Sequence, residues 1–285
     1  MRHVFVSPHP DDVALSCGGL VALLRGRGED VAIVTIFCGA GSRDRLTRYQ
    51  FRALGFDRDA DGRGDPEPTD LAEANADAPA AAPKPDEVMA VRRAEDEAFA
   101  RFARASLVSL KEPDAVFRGY AGKSQLMGSP RADDPAPIEE LRAALARLAP
   151  DRLYIPFAIG GHVDHRQTRG AAMALLSEPG SPYLDRAFFF EDFPYAHTVG
   201  FERLDQLDPE VASGLPAHTR LTPEYVEIGD VFDRKIEGLQ SYASQIGHLF
   251  GDGLSLGGAL RAFSTHVGEL GEVGPAERYW RVTPI

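Results

Sequence analysis

Residues 3–37 read HVFVSPHPDDVALSCGGLVALLRGRGEDVAIVTIF. Residues 3–7 are a short β-branched and aromatic run. Residues 14–27 place Leu15, Leu20, Leu23 and Leu24 near helical spacing, with Gly28 just beyond the end. Residues 31–37, VAIVTIF, form a continuous apolar run of the kind a strand shows when both its faces are covered. Strand, helix and strand in this order make a βαβ unit, which requires a parallel pair and a right-handed crossover.

The alternation continues downstream. Residues 89–105 predict a helix with Arg92, Arg93, Glu95, Asp96 and Glu97 on polar faces, and 106–110 a strand. A helix at 138–148, a strand at 152–156, a helix at 165–176 and a strand at 186–190 follow. Residues 223–243 read as a long helix broken near its start, and the last ~50 residues as Gly-rich loops with short helices. Strands alternating with helices, without repeats or a second composition block, predict one domain over 1–285. Its expected fold is α/β: a doubly wound, mostly parallel, Rossmann-like sheet with helices on both faces. Residues 57–87 are rich in Asp, Ala and Pro and poor in large apolar side chains, which predicts a flexible insertion. Composition favours a plain surface excursion; a lid over a site is the other reading.

The chain of 285 residues is long enough to build a core without disulfides. With 31 Lys+Arg against 43 Asp+Glu, its formal net charge of −12 repels phosphate backbones and argues against a nucleic-acid partner. Cys17 and Cys38 cannot form a disulfide framework and read as reduced core residues of a cytoplasmic protein. The amino-terminal residues lack a signal-peptide pattern, and no apolar run reaches membrane-spanning length. The sequence leaves a homo-oligomer open.

Two loops carry the chemistry. Pro8-His9-Pro10-Asp11-Asp12 follows the first strand, and in an open parallel sheet that end borders the ligand crevice. One imidazole and two carboxylates there suit zinc. A plain turn explains the segment too, with Asp12 capping the next helix. The second loop, Gly160-Gly161-His162-Val163-Asp164-His165, follows the strand ending at Pro156 and runs into a helix. Two His/Asp loops at the same end of one sheet converge without special assumptions and favour a metal site.

These motifs resemble the LmbE-like, or PIG-L-like, metal-dependent de-N-acetylases, whose signatures have the forms (A/S)HPDD and HxDH. The stretches SPHPDDVALSCGG, FFEDFPYA, YASQ and AERYW look like one bacterial branch of the family. The resemblance implies that His9, Asp12 and His165 hold the metal, Zn2+ or alternatively Fe2+, since His and carboxylate ligands suit both. It implies that Asp11 is the general base towards metal-activated water. His162 would stabilise the oxyanion and protonate the departing amine, with Asp164 fixing its tautomer and favouring its charged form. The sequence departs from the pattern twice. Val13 stands where many members have Glu, and Gly160 where some have a Tyr that assists the oxyanion.

Further candidates for substrate contact are Arg92, Arg93, Asp114, Asp192 and Tyr195. Each has a plainer reading: the arginines as a solvated helix face pairing with nearby acids, Asp114 as a turn residue, and the Glu191–Tyr195 loop as packing. The function expected is zinc-dependent hydrolysis of the N-acetyl group of an N-acetylglucosaminyl-type conjugate, giving acetate and an amine. The alternative is a catalytically silent sugar-binding or scaffold protein. A Rossmann nucleotide binder is disfavoured, because PHPDD stands where a GxGxxG loop would be.

Overall fold

The computed structural model describes residues 1–42, 44–54, 76–120, 122–208, 212, 214, 218–249 and 255–285. Its strands are Arg2–Ser7 (β1), Asp30–Thr35 (β2), Ser106–Ser109 (β3), Arg152–Pro156 (β4), Ala187–Phe190 (β5), Thr219–Glu227 (β6) and Ala276–Pro284 (β7). They form one sheet in the order β3-β2-β1-β4-β5-β7-β6. The first five are parallel, with Val4 opposite Ala32 and Phe5 opposite Tyr154. β7 runs antiparallel to both β5 and β6. The principal helices are Asp12–Gly26 (α1), Pro85–Ala103 (α2), Ile138–Leu148 (α3), Val163–Leu176 (α4), Phe232–Leu239 (α5) and Leu256–Leu270 (α6).

The two-residue period of a strand explains the layers. Val4 and Val6 of β1 pack with Leu153, Ile155 and Phe189 against Leu141 and Leu145 of α3 and Ala172 and Leu175 of α4. Phe5 points the other way and packs with Ile33 and Phe188 against Leu15, Leu20 and Leu24 of α1 and Leu260 of α6. Both faces are covered, as the doubly wound reading requires.

Three expectations change. Residues 223–227 are strand, not helix. Thr222-Pro223-Glu224 imitates a helix start, but nine residue pairs with β7 outweigh that local signal. Pro223 is tolerated because β6 is the edge of the sheet. The carboxyl-terminal region holds the 15-residue α6 and the nine-residue β7. β7 hid from a periodicity reading because it buries Glu277 and Arg278 beside Tyr279 and Trp280.

Of the insertion expected at 57–87, the part from residue 76 onward is tied to the core near its start and helical at its end. Residues 57–75 lie outside the described residues. Asp77 bridges Thr47, and buried Ala78 donates its N–H to Leu46. Pro85 sits at the first helical position of α2, and Glu87 accepts the Lys84 N–H, so the helix starts before Met89.

Candidate metal and active site

The chain leaves β1 towards β2 on one side and β4 towards β5 on the other. The sheet therefore has its switch point between β1 and β4, where two outgoing loops diverge and leave a crevice. The loops after β1, β3, β4 and β5 supply the histidines of the crevice and Asp11, Asp12, Asp114, Asp164 and Asp192, and α2 supplies Arg92. Asp12 opens α1, and Asp164 and His165 lie in the first turn of α4.

Asp12 joins the two halves. Its Oδ2 lies 3.2 Å from His9 Nδ1 and 3.4 Å from His165 Nε2. Ligand arms of ~2.1 Å in a tetrahedral shell place donor atoms about 3.4 Å apart. The outer nitrogens of both rings are anchored. His9 Nε2 meets Asp164 Oδ2 at 2.8 Å, and His165 Nδ1 meets Asp192 Oδ1 at 2.6 Å. A ring N–H donated outward leaves the inner nitrogen with a lone pair, the arrangement of metal-binding histidines. His165 Nε2 is buried and makes no hydrogen bond among the described residues. That orphaned acceptor, facing a carboxylate, fits a cation.

His162 also offers a ring nitrogen within 4.8 Å of His9 and His165 nitrogens. Its Nδ1, however, accepts the backbone N–H of Asp164, which leaves Nε2 as the N–H. His9, Asp114 and Asp164 form a second close group. There His9 Nε2 is engaged by Asp164, and Asp114 Oδ2 takes Arg92 Nη1 at 3.1 Å, so protein cations already balance it.

The charge balance is acidic. Asp11, Asp12, Asp114, Asp164 and Asp192 are all buried here, against Arg92 and the largely buried Arg118. Burial disfavours the Asp12 carboxylate, but His165 and His9 overcome it and hold Asp12 down to about 2. Burial, then the Asp12 charge, push Asp11 up to about 8. A divalent cation at Asp12 would pull Asp11 back down. Asp11 also has φ 103°, a left-handed conformation that strains a non-glycine residue by ~1–3 kcal/mol. Its Oδ2 lies 3.8 Å from Arg92 Nη2.

Asp164 does not serve His162 as expected. Its Oδ2 accepts from His9 and from the Ala115 N–H at 2.9 Å, and its Oδ1 makes a 2.7 Å ion contact with Arg118 Nη2, outside aligned hydrogen-bond geometry. His162 is therefore not held charged. Burial, then the neighbouring His9, lower it to about 3. It enters the crevice as a neutral N–H donor.

The substrate candidates separate. Arg92 is buried in the site between Asp114 and Asp11, whereas Arg93 donates to the Cys38 carbonyl at 2.8 Å. Asp114 Oδ1 accepts from Val116 and caps a short 3-10 turn. Both Asp192 oxygens are engaged, by His165 and by the Ile159 N–H. Tyr195 stands edge-on to His165, ring centroids 5.3 Å apart.

Two residues escaped the sequence reading. Arg118 clamps Asp164 and Asp134 and stacks over Phe37. Asp96, on a helix face that reads as solvated, is buried and accepts from Thr35 and Tyr242, each at 2.7 Å. Asp96 carried no signal of burial, because its partners Thr35 and Tyr242 lie far off in sequence.

Comparison with known proteins identifies the family. The family described as PIG-L: GlcNAc-PI de-N-acetylase matches residues 4–176. A 2'-N-acetylparomamine deacetylase of Streptomyces fradiae is 30% identical over 250 residues, covering 86% of this chain and 73% of that protein. Its counterpart from Niallia circulans is 28% identical over 209 residues, covering 67% and 66%. Among solved structures, the zinc-inhibited form of a teicoplanin deacetylase superposes with TM-score 0.71 at 22% identity, covering 100% of this chain and 99% of that one. The sheet, the two signature loops and these relatives together show that the chain belongs to the PIG-L (GlcNAc-PI de-N-acetylase) family and is an N-deacetylase.

Proposed function

We propose that the protein hydrolyses the N-acetyl group of an amino sugar within a larger conjugate, N-acetylglucosaminyl in type, using a divalent cation, Zn2+ by first choice. The observation that carries this reading is the position of Asp12 Oδ2, at ligand-shell spacing from His9 Nδ1 and His165 Nε2. Two relatives named for deacetylating 2'-N-acetylparomamine support the amino-sugar class.

His9, Asp12 and His165 would hold the cation. When bound, it supplies Lewis acidity towards an acyl carbonyl and towards water. The remaining work belongs to the chain. Asp11 takes a proton from the attacking water and returns one to the leaving amine, as a carboxylate beside the metal-holding residues can do. His162 donates its Nε2–H to the developing oxyanion, neutral throughout. Arg92, fixed by Asp114, steadies Asp11 and lines the crevice for substrate hydroxyls, while Arg93 and Asp192 support the walls. Among the described residues no helix is long and apolar enough to cross a membrane. The free, buried Cys17 and Cys38 support a cytoplasmic setting.

The test pairs metal content with turnover. The wild type should bind one divalent ion per chain by elemental analysis and release acetate from a panel of N-acetyl amino-sugar conjugates. His165→Ala should lose most of the metal and the activity while keeping its circular dichroism. Full metal occupancy in that variant would remove His165 from the ligand set. A metal-loaded wild type inert to the whole panel would leave the silent sugar-binding reading.

A further inference from the structure

We infer that the Tyr195 hydroxyl is a second hydrogen-bond donor to the acyl oxygen of the scissile amide, beside His162, an inference that rests on the deacetylase reading above. Tyr195 comes from the loop after β5, three positions beyond the Asp192 that anchors His165. Its ring stands at 87° to the His165 ring, centroids 5.3 Å apart, and 6.4 Å from the His162 ring. The phenol therefore flanks the two imidazoles between which a carbonyl must bind.

Gly160 shows that this placement is built into the loop after β4. A Cβ at Gly160 would lie 2.7–2.8 Å from Cβ, Cγ and Cδ1 of Tyr195, closer than real contacts allow. The phenol occupies the volume that a side chain at 160 would need. Gly160 also adopts φ +85°, which disfavours any other residue there.

Among the described residues the hydroxyl is uncommitted. Tyr154 is paired with His3, Tyr242 with Asp96, Tyr279 with Glu277 and Tyr120 with Asp134. Among the described residues the Tyr195 hydroxyl makes no hydrogen bond, and it is not among the fully buried unpaired atoms. An O–H without a protein partner, on a ring packed beside His165, is available to a ligand.

The reaction needs such a donor. Water oxygen bonds to the carbonyl carbon, the C–N bond breaks, acetate leaves with that oxygen, and the amine leaves with the proton relayed by Asp11. Negative charge gathers on the former carbonyl oxygen in between. His162 offers one N–H, and Arg92 is held by Asp114 and Asp11, so among the described residues Tyr195 is a side-chain donor left beside the two imidazoles. The phenol keeps its proton throughout; it donates a hydrogen bond only.

Tyr195→Phe keeps the ring and removes the donor. Its kcat should fall about 10²-fold, the loss typical of one oxyanion donor, with KM nearly unchanged. A tetrahedral phosphonamidate analogue of the acetamide should bind more weakly by the same factor, while the free-amine product binds as before. Unchanged metal content and thermal midpoint would exclude a merely structural effect. Wild-type turnover matched by Tyr195→Phe, or a change confined to KM, overturns this inference alone. A wild type that releases no acetate overturns the deacetylase reading and this inference with it.

Discussion

Asp164 Oδ2 accepts a hydrogen bond from His9 Nε2 at 2.8 Å and so joins the start of α4 to the loop after β1. The bond sets the His9 tautomer and turns Nδ1 towards Asp12. The same carboxylate takes the Ala115 N–H and contacts Arg118, so it is held from three sides. Its burial would favour the neutral acid, but His9, by hydrogen bond and charge, and Arg118 keep it ionised.

Asp164→Asn should therefore weaken metal binding without removing a ligand. The amide cannot compensate Arg118, and it leaves the His9 tautomer unfixed. Loss of such a partner behind a ligating histidine commonly costs ~10–100-fold in metal affinity. Competition against a chromogenic chelator with Zn2+ measures it. An unchanged Kd would show that His9 is oriented by something else.

Asp11→Asn separates metal binding from turnover. Asn tolerates the left-handed backbone at φ 103° as well as Asp does, so the loop persists. The proton acceptor is lost, and kcat should fall by ~10²–10⁴-fold at every pH. Metal content should stay at the wild-type level. Acetate release near the wild-type rate would end the general-base role, and a metal-free variant would make Asp11 a ligand.

Much of this site was legible in the sequence because its signals are local. β1, α1 and β2 have unmixed periods, and each signature loop sits directly after an apolar strand, so convergence followed from topology alone. What stayed hidden depends on pairing between distant residues. Arg118 gains meaning only through Asp164 and Asp134, and Asp96 only through Thr35 and Tyr242. Asp164 next to His162 in sequence suggested a pair, but the turn into α4 sends its carboxylate to His9 and offers His162 its backbone N–H instead. β6 and β7 were missed for different reasons: Thr222-Pro223-Glu224 on β6 imitates a helix start, and β7 buries Glu277 and Arg278, charges that a periodicity reading takes as solvated.

Asp96 gives a pH signature. Burial pushes its carboxyl up to about 6 despite the Thr35 and Tyr242 hydrogen bonds, whereas an unfolded Asp titrates near ~3.9. Between these values the folded chain holds more protons than the unfolded one. The Asp96 contribution to stability must then fall as pH rises from about 4 to about 6, by a few kcal/mol in order of magnitude. Asp96→Asn does not titrate. Wild-type minus variant stability, from urea unfolding, should slope downward across that window and flatten above it. A difference that is flat or rises there would contradict the assignment.

Glu277 tests how β7 is held behind the site. Its carboxylate accepts from Gly19 N–H and Leu20 N–H of α1, each at 2.8 Å, and from Tyr279, and it pairs with Lys235 of α5 at 2.7 Å. Both charged side chains are at most 5% exposed. Glu277→Gln leaves the Lys235 ammonium buried without a counter-ion, and breaking such a pair from one side typically costs ~3–5 kcal/mol. Lys235→Met added to it removes the stranded charge and should recover a large part of the loss. Urea midpoints of the two single variants and the double variant give the coupling. Additive losses would show that Glu277 acts through α1 rather than through Lys235. In either case metal content per folded chain should match the wild type, because none of these groups reaches the crevice residues.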